Sequence, residues 1–365
     1  MRLLFVIKSL AGAGGAERVL CAVAGELAER GHDVEIASFD PPGSSDFYAL
    51  DPRVARLHLG IGKVSRSSGP VDLLRQAAAL RALLRKSRPD VAIGFMHSAF
   101  VPLGLAAMGT GTPVVASEHT VFDHYRANRL QGALVRATAG LIAAFTATSD
   151  RVRAGFPPAI AARMTVIPNP VLSSNPVTRR DSSGSHVLLS VGGLRQEKGH
   201  HILIEAFAEL AERFPDWSLR IVGDGPRREA LEAQARNTGV GACVTFAGTI
   251  ADVAPEYAAA DLFVVPSSYE SFGLATAEAL AAGIPAVGFA DCPGTNEIIR
   301  DEVNGLLVTG PDRSEALVRG LARMMGDQEL RSRLGQAGPA SVAGYSLDPV
   351  VDRWEELLLR VARKK

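Results

Sequence analysis

Asp261-Leu262-Phe263-Val264-Val265-Pro266 runs into Tyr269-Glu270-Ser271-Phe272-Gly273-Leu274-Ala275-Thr276-Ala277-Glu278-Ala279-Leu280. An apolar run closed by proline, a short polar loop and a glycine-bearing helix start read as one strand–loop–helix unit. The free amides of such a first turn form an anion site. With the helix counted from Phe272, a ~1.5 Å rise over eight residues sets Glu278 about 12 Å along the axis from Glu270. Carboxylates so spaced can hold hydroxyls on opposite sides of a diphosphate. A capping Glu and a surface Glu are the plainer alternative.

The same rhythm extends in both directions, as in a doubly wound parallel sheet. Ahead of it lie expected strands at Arg2–Ile7, Asp33–Phe39, Val54–Leu59, Val91–Phe95, Val114–Ser117, Leu141–Thr148 and Met164–Ile167, with helices between them, including Glu17–Arg30 and Val71–Lys86. Ser173–His186 is polar and aperiodic and bears Ser, Pro and Gly, the composition of a linker. Beyond it the pattern restarts with Val187–Val191, Ser218–Val222, Cys243–Phe246, the quoted strand and Ala286–Phe289. The expected fold is α/β with two doubly wound, Rossmann-like domains, 1–176 and 177–345, facing across a cleft. Asp348–Ala362 carries Val351, Trp354, Leu357, Leu358 and Val361 on one helical face. The segment 346–365 is therefore expected to pack back on the first domain.

At ~150 residues per domain, 365 residues suit two domains. Lys+Arg and Asp+Glu both number 39, so attraction to nucleic acid is not built into the bulk charge. The first 176 residues carry an excess of six positive charges and the rest an equal negative excess, so the halves suit different partners. Cys21, Cys243 and Cys292 are far apart with no CxxC spacing, which excludes a disulfide scaffold and a zinc knuckle and suits a reducing cytoplasm. Val91–Ser117 lacks Asp, Glu, Lys and Arg, but Pro102, Gly104, Gly109, Gly111 and Pro113 break it. Strand, short helix, turn and strand fit it better than a membrane span. The chain is expected to be cytoplasmic, at most peripheral on the inner face of a membrane.

Three further motifs fall at strand ends, where doubly wound sheets bind ligands. Val191-Gly192-Gly193-Leu194-Arg195-Gln196-Glu197-Lys198-Gly199-His200 sets Arg195 and Lys198 near a helix start, where the dipole gives cations no advantage. A phosphate between them would explain the placement; a solvated loop is the alternative. Gly12-Ala13-Gly14-Gly15-Ala16-Glu17-Arg18 is a defective dinucleotide fingerprint, read as a Gly-rich loop near a phosphate or sugar. His97 and His119 follow adjacent strands. Each alone reads as a structural histidine; together they read equally well as cleft residues.

Taken together, these residues resemble the retaining nucleotide-sugar glycosyltransferases of the GT-B fold, family four. The resemblance adds Pro168-Asn169-Pro170, Gly223-Asp224-Gly225 and Asn304-Gly305-Leu306-Leu307-Val308 to the motifs above, in order along nearly the whole chain. It implies that Lys198 and a nearby arginine neutralise the donor diphosphate, that Glu278 holds the ribose, and that Glu270 with the amides of Phe272, Gly273 and Leu274 holds the hexose and its phosphate. His119 would contact the donor sugar and Gly15 the diphosphate. The family arginine five residues before the lysine is replaced here by Gly193, with Arg195 as the candidate substitute.

The expected reaction transfers a hexose or N-acetylhexosamine, with retention, from a nucleoside-diphosphate sugar to a glycan or polyprenyl-linked acceptor. Lys198, Arg195 and the helix amides would stabilise the leaving diphosphate. No Asp-x-Asp occurs, so neither metal nor cofactor is expected. His97 and Arg126 are candidates for the acceptor side. Arg75, Arg81, Arg85, Lys86 and Arg88, with Arg126, Arg129 and Arg136, could dock on anionic lipid. A sugar-nucleotide epimerase and a non-catalytic nucleotide-sugar-binding protein are the alternative readings; a nicotinamide dehydrogenase is disfavoured by the broken fingerprint.

Overall fold

The computed structural model describes residues 1–61, 69–172 and 184–363. Two compact units emerge: Met1–Pro170 with Leu347–Lys365, and Val171–Ser346. The 176/177 boundary and most of the linker read from sequence fall in 173–183, outside the described residues. Val171 belongs to the second unit because its N–H donates to the Tyr345 carbonyl and it bridges to Ser346.

The first unit is built on seven strands: β1 (Arg2–Ile7), β2 (Asp33–Ser38), β3 (Ala55–His58), β4 (Val91–Phe95), β5 (Val114–Ser117), β6 (Ala144–Ala147) and β7 (Met164–Val166). They pair in parallel in the order β3-β2-β1-β4-β5-β6-β7. Helices cover both faces of such a sheet, which is why the central strands are uninterrupted apolar runs. Leu3–Ile7 and Val91–Phe95 are buried throughout. The charge-free stretch resolves as β4, an 11-residue helix His97–Ala107 and β5. Among the described residues, no helix is long and apolar enough to cross a membrane.

Several strand ends shift by one to three residues, as in Ala144–Ala147 against the expected Leu141–Thr148, where Ala139–Leu141 forms a 3-10 turn instead, and two further details differ from the sequence reading. The first helix spans Gly15–Glu29, so Gly15 opens a helix instead of lying in the loop. The Glu17 side chain folds back over Gly14, where an acidic group is favoured by the dipole. In the second helix, Pro70–Ser87, Arg81 donates to the carbonyls of Ala106 and Met108. That guanidinium finishes the C-terminus of His97–Ala107 and is not free for lipid.

Leu347–Ala362 also belongs to the first unit. Val350, Val351, Trp354, Leu357, Leu358 and Val361 form its buried stripe. At its rim Arg30 meets Asp352 at 2.6 Å and Glu355 at 3.3 Å, and His32 Nε2 lies 2.9 Å from Glu355.

The second unit has six parallel strands, β8 (His186–Val191), β9 (Trp217–Val222), β10 (Val244–Gly248), β11 (Leu262–Val265), β12 (Ala286–Phe289) and β13 (Gly305–Val308). Their order is β10-β9-β8-β11-β12-β13. In both sheets strand order reverses next to the first strand of the unit, leaving a crevice at the strand carboxyl ends.

In β4, a Cβ on Gly94 would lie 2.5 Å from the Phe100 Cα. The glycine lets the following helix fold back onto its own strand. Gly94→Ala should lower stability by about 1–3 kcal/mol through overpacking, measured by urea unfolding; an unchanged midpoint would refute the close-packing account.

Candidate active site

In the second unit, β8 and β11 flank the point where strand order reverses, and the loops leaving them meet. Gly199 sits at φ 68°, and its backbone passes so close to the second loop that a Cβ would lie 2.1 Å from the Pro266 carbonyl oxygen. Ser268 N–H donates to the Glu197 carbonyl at 2.9 Å. These contacts deliver Lys198 to Glu270, with Nζ 2.6 and 2.7 Å from the two carboxylate oxygens. Ser267 Oγ donates to the same carboxylate at 2.7 Å. Both charges are largely shielded from solvent, which strengthens their attraction.

The helix after this loop spans Leu274–Ala281, with Gly273 as N-cap at φ 88°. It starts two residues later than the sequence suggested. Only the last four residues between Glu270 and Glu278 rise as helix, so the 12 Å estimate fails. The free first-turn amides are those of Leu274, Ala275 and Thr276, while Ala277 N–H already bonds the Gly273 carbonyl. Phe272 turns its ring into the core, edge-on to Tyr345 at 5.2 Å. Glu278 is buried and accepts from the Tyr257 hydroxyl at 3.0 Å. It is not a surface carboxylate.

Arg195 is exposed, and its guanidinium lies over Gly193, 3.3 Å from where a Cβ would stand. The Arg195 guanidinium thus occupies the space beside position 193, where this chain has no side chain of its own. His200 is buried behind Lys198, and burial, reinforced by the lysine charge, pushes its pKa down to about 4.

The first unit presents its own group at the ends of β4 and β5. Met96 adopts φ 67°, rare for a residue with a side chain, and begins the helix carrying His97. The His119 ring stacks on Phe95 at 4.9 Å, and Trp354 stacks on Phe95 at 5.9 Å. His119 Nε2 lies 2.9 Å from Ser117 Oγ. Burial pushes its pKa down to about 4, with Asn169 pulling weakly the other way. Arg126 is exposed on the helix Phe122–Ala127.

Sequence reading passed over Glu118, Tyr125, Tyr257 and Ser267. Glu118 is 1% exposed, and burial raises its pKa to about 7 against the pull of the Tyr125 hydroxyl and two backbone amides. Its signal was present in the chain: a carboxylate directly after a buried strand, between Ser117 and His119. The tyrosines and Ser267 had no comparable signal.

Three histidines held neutral should make the fold acid-labile. His97, His119 and His200 drop from an ordinary 6.5 to about 4, so their contribution is complete above pH 6.5 and lost as pH falls toward 4. Glu118, raised from 4.5 to about 7, acts oppositely over that window but is outnumbered. Unfolding free energy should fall by on the order of a few kcal/mol between pH 6.5 and 4. His200→Leu should flatten the slope by about one proton; a slope it leaves untouched would rule the effect out.

Comparison with known proteins bears on the family and the fold. Residues 13–172 match the family model "Glycosyltransferase Family 4" and 178–341 match "Glycosyl transferases group 1". A Campylobacter jejuni alpha-1,4-N-acetyl-D-galactosaminyltransferase that acts on an undecaprenol-linked GalNAc glycan is 25% identical, over 99% of each chain. Sucrose-phosphate synthase from Thermosynechococcus elongatus superposes with a TM-score of 0.84 at 21% identity, covering 100% of both chains. The Anabaena protein HepE in complex with UDP-glucose superposes at 0.81 with 22% identity, over 99% of this chain and 100% of that one. The reversal of strand order in each sheet, the Lys198–Glu270 meeting at one of them and the two consecutive family matches lead to one assignment: the chain belongs to family four of the glycosyltransferases and has the GT-B fold.

Proposed function

We propose that this chain is a retaining enzyme that moves a hexose or N-acetylhexosamine from a nucleoside-diphosphate sugar to a hydroxyl of a glycan or lipid-linked acceptor, in bacterial-type polysaccharide or glycoconjugate biosynthesis. The observation that carries this reading is Lys198 held against Glu270 beside a helix start with free amides. In the reaction the anomeric carbon–phosphate oxygen bond breaks and the carbon–acceptor oxygen bond forms on the same face. The nucleoside diphosphate leaves with the bonding electrons, and the acceptor proton is released.

Negative charge grows on the diphosphate as that bond stretches, so fixed positive potential there lowers the barrier. Lys198, Arg195 and the amides of Gly273 and Leu274 are the groups assigned to it. Glu270, sharing Lys198 with the phosphate, takes a sugar hydroxyl, and Glu278 with Tyr257 takes the ribose. From the first unit, His119 is assigned to the donor sugar and Gly15 to the diphosphate. Held neutral by burial, His119 suits a polar contact better than a charge. No divalent cation is assigned a role. The undecaprenol-linked acceptor of the C. jejuni relative and the UDP-glucose bound to HepE support these donor and acceptor classes.

A lipid-linked acceptor requires approach to a membrane. Val71 and Leu74 are exposed on the helix that also carries Arg75, Arg85 and Lys86, and Leu130 is exposed beside Arg129. Apolar side chains among cations suit an anionic interface, and we assign this face to peripheral membrane contact.

Lys198→Ala should lower turnover by ~10²–10³ across a panel of donor sugars and acceptors. Near-normal turnover in the folded variant would overturn the electrostatic assignment. Wild-type turnover should withstand EDTA; its abolition and recovery on adding Mg²⁺ would reinstate a metal. Sedimentation with anionic vesicles at low salt, released at high salt, should mark the membrane face, and failure to bind at low salt removes it.

A further inference from the structure

The first unit holds a chain of hydrogen bonds that the donor assignments leave unused. Glu118 Oε1 accepts from the backbone N–H of His119 at 3.0 Å and of Thr120 at 3.1 Å. Its Oε2 accepts from the Tyr125 hydroxyl, and the Tyr125 oxygen lies 3.2 Å from His97 Nδ1. Glu118 and Tyr125 are both buried, whereas His97 is half-buried at the carboxyl end of β4. The left-handed Met96 turns it there.

The direction of the chain follows from counting donors. An ionised Glu118 has no proton to give, so the phenol proton of Tyr125 is committed to Oε2. The Tyr125 oxygen can then only accept from His97, which must carry its proton on Nδ1. His97 Nε2 is left as a bare acceptor, with no hydrogen-bond partner among the described residues. Burial, the His124 ring and Lys8 keep the imidazole neutral, its pKa lowered to about 4. Lys8 beyond β1 and His124 on the helix Phe122–Ala127 act on the ring through space, Tyr125 on that helix touches it, and Glu118 beyond β5 lies behind Tyr125.

We propose that Glu118 and Tyr125 form a tautomer lock that presents His97 Nε2 as the hydrogen-bond acceptor for the incoming acceptor hydroxyl. This rests on the glycosyl-transfer reading. A hydroxyl that donates to Nε2 turns an oxygen lone pair outward as nucleophile. His97 is then a binding residue; Glu118 and Tyr125 are positioning residues. Protonating Glu118 at Oε2 reverses every bond in the chain: the carboxyl donates to Tyr125, Tyr125 donates to Nδ1, and Nε2 acquires the proton. Acidification through about pH 7 therefore converts the acceptor into a donor.

The test is ¹⁵N-detected NMR of the His97 ring in the full-length, ligand-free chain, with acceptor kinetics alongside. At pH 8 the proton should sit on Nδ1 and shift to Nε2 as Glu118 titrates. Tyr125→Phe, which keeps the ring packed against Phe122 and Phe156, should abolish the preference. Glu118→Gln should hold the proton on Nε2 even at pH 8, because its amide oxygen must serve the two backbone amides and its NH₂ must face Tyr125. Both variants should lower kcat/KM for the acceptor about tenfold, the weight of one hydrogen bond, with nucleoside-diphosphate affinity unchanged. A wild-type proton on Nε2 at pH 8, a tautomer that neither variant moves, or unaltered acceptor kinetics would overturn the proposal. Failure of the broader reading looks different: the parent chain transfers no sugar to any acceptor, while its ring nitrogens still respond as described.

Discussion

Two neighbouring parallel strands, β8 and β11, release their chains at the same edge of one sheet, and everything at the candidate donor site depends on that. Because the strands are parallel, both following loops must turn on the same side. Because strand order reverses between them, no crossover covers the gap. Lys198 and Glu270 are 72 residues apart in the chain yet end up within hydrogen-bonding distance. Close passage of Gly199 under Pro266 sets the approach. An ion pair shielded this far contributes little net stability, since desolvation offsets much of the attraction. Its value lies in holding a cation at a defined point, where an anionic ligand can share it.

The first unit uses the same topology differently. At the ends of β4 and β5 it gathers titratable groups joined by hydrogen bonds, with the His97 and His119 rings held neutral by burial, instead of an ion pair. His119 rests on Phe95 and, through it, on Trp354 of the closing helix, so the final segment of the chain supports a ring near the centre of the sheet. Glu118 binds the amides that follow it and thereby shapes the turn carrying His119. The first unit thus offers a hydrogen-bonded chain where the second offers an ion pair.

Much of this was legible in the linear chain. Arg2–Ile7, Val91–Phe95, Val114–Ser117 and Ala286–Phe289 were read to the residue, since strands buried on both faces need uninterrupted apolar runs. Helix starts were less legible: Gly15 and Leu274 begin helices that the spacing placed two residues away, because the N-terminal turn is set by backbone geometry at Gly14 and Gly273. The basic stripe was over-read at Arg81. A guanidinium on a helix looks solvated in sequence, and only packing reveals the two carbonyls it serves. Glu118 was under-read for the mirror reason, since a carboxylate in the chain shows nothing of how much water surrounds it.

The sequence by itself determined which residues could do chemistry and at which strand ends they stand, because apolar periodicity and glycine placement are local properties of the chain. Tertiary structure alone decided which of those groups are charged, which are neutral and which face one another. Pairing and desolvation arise from atoms brought close by folding, often from segments tens of residues apart. Lys198 beside Glu270, Tyr257 beside Glu278, and the bond from Glu118 through Tyr125 to His97 are facts of that second kind.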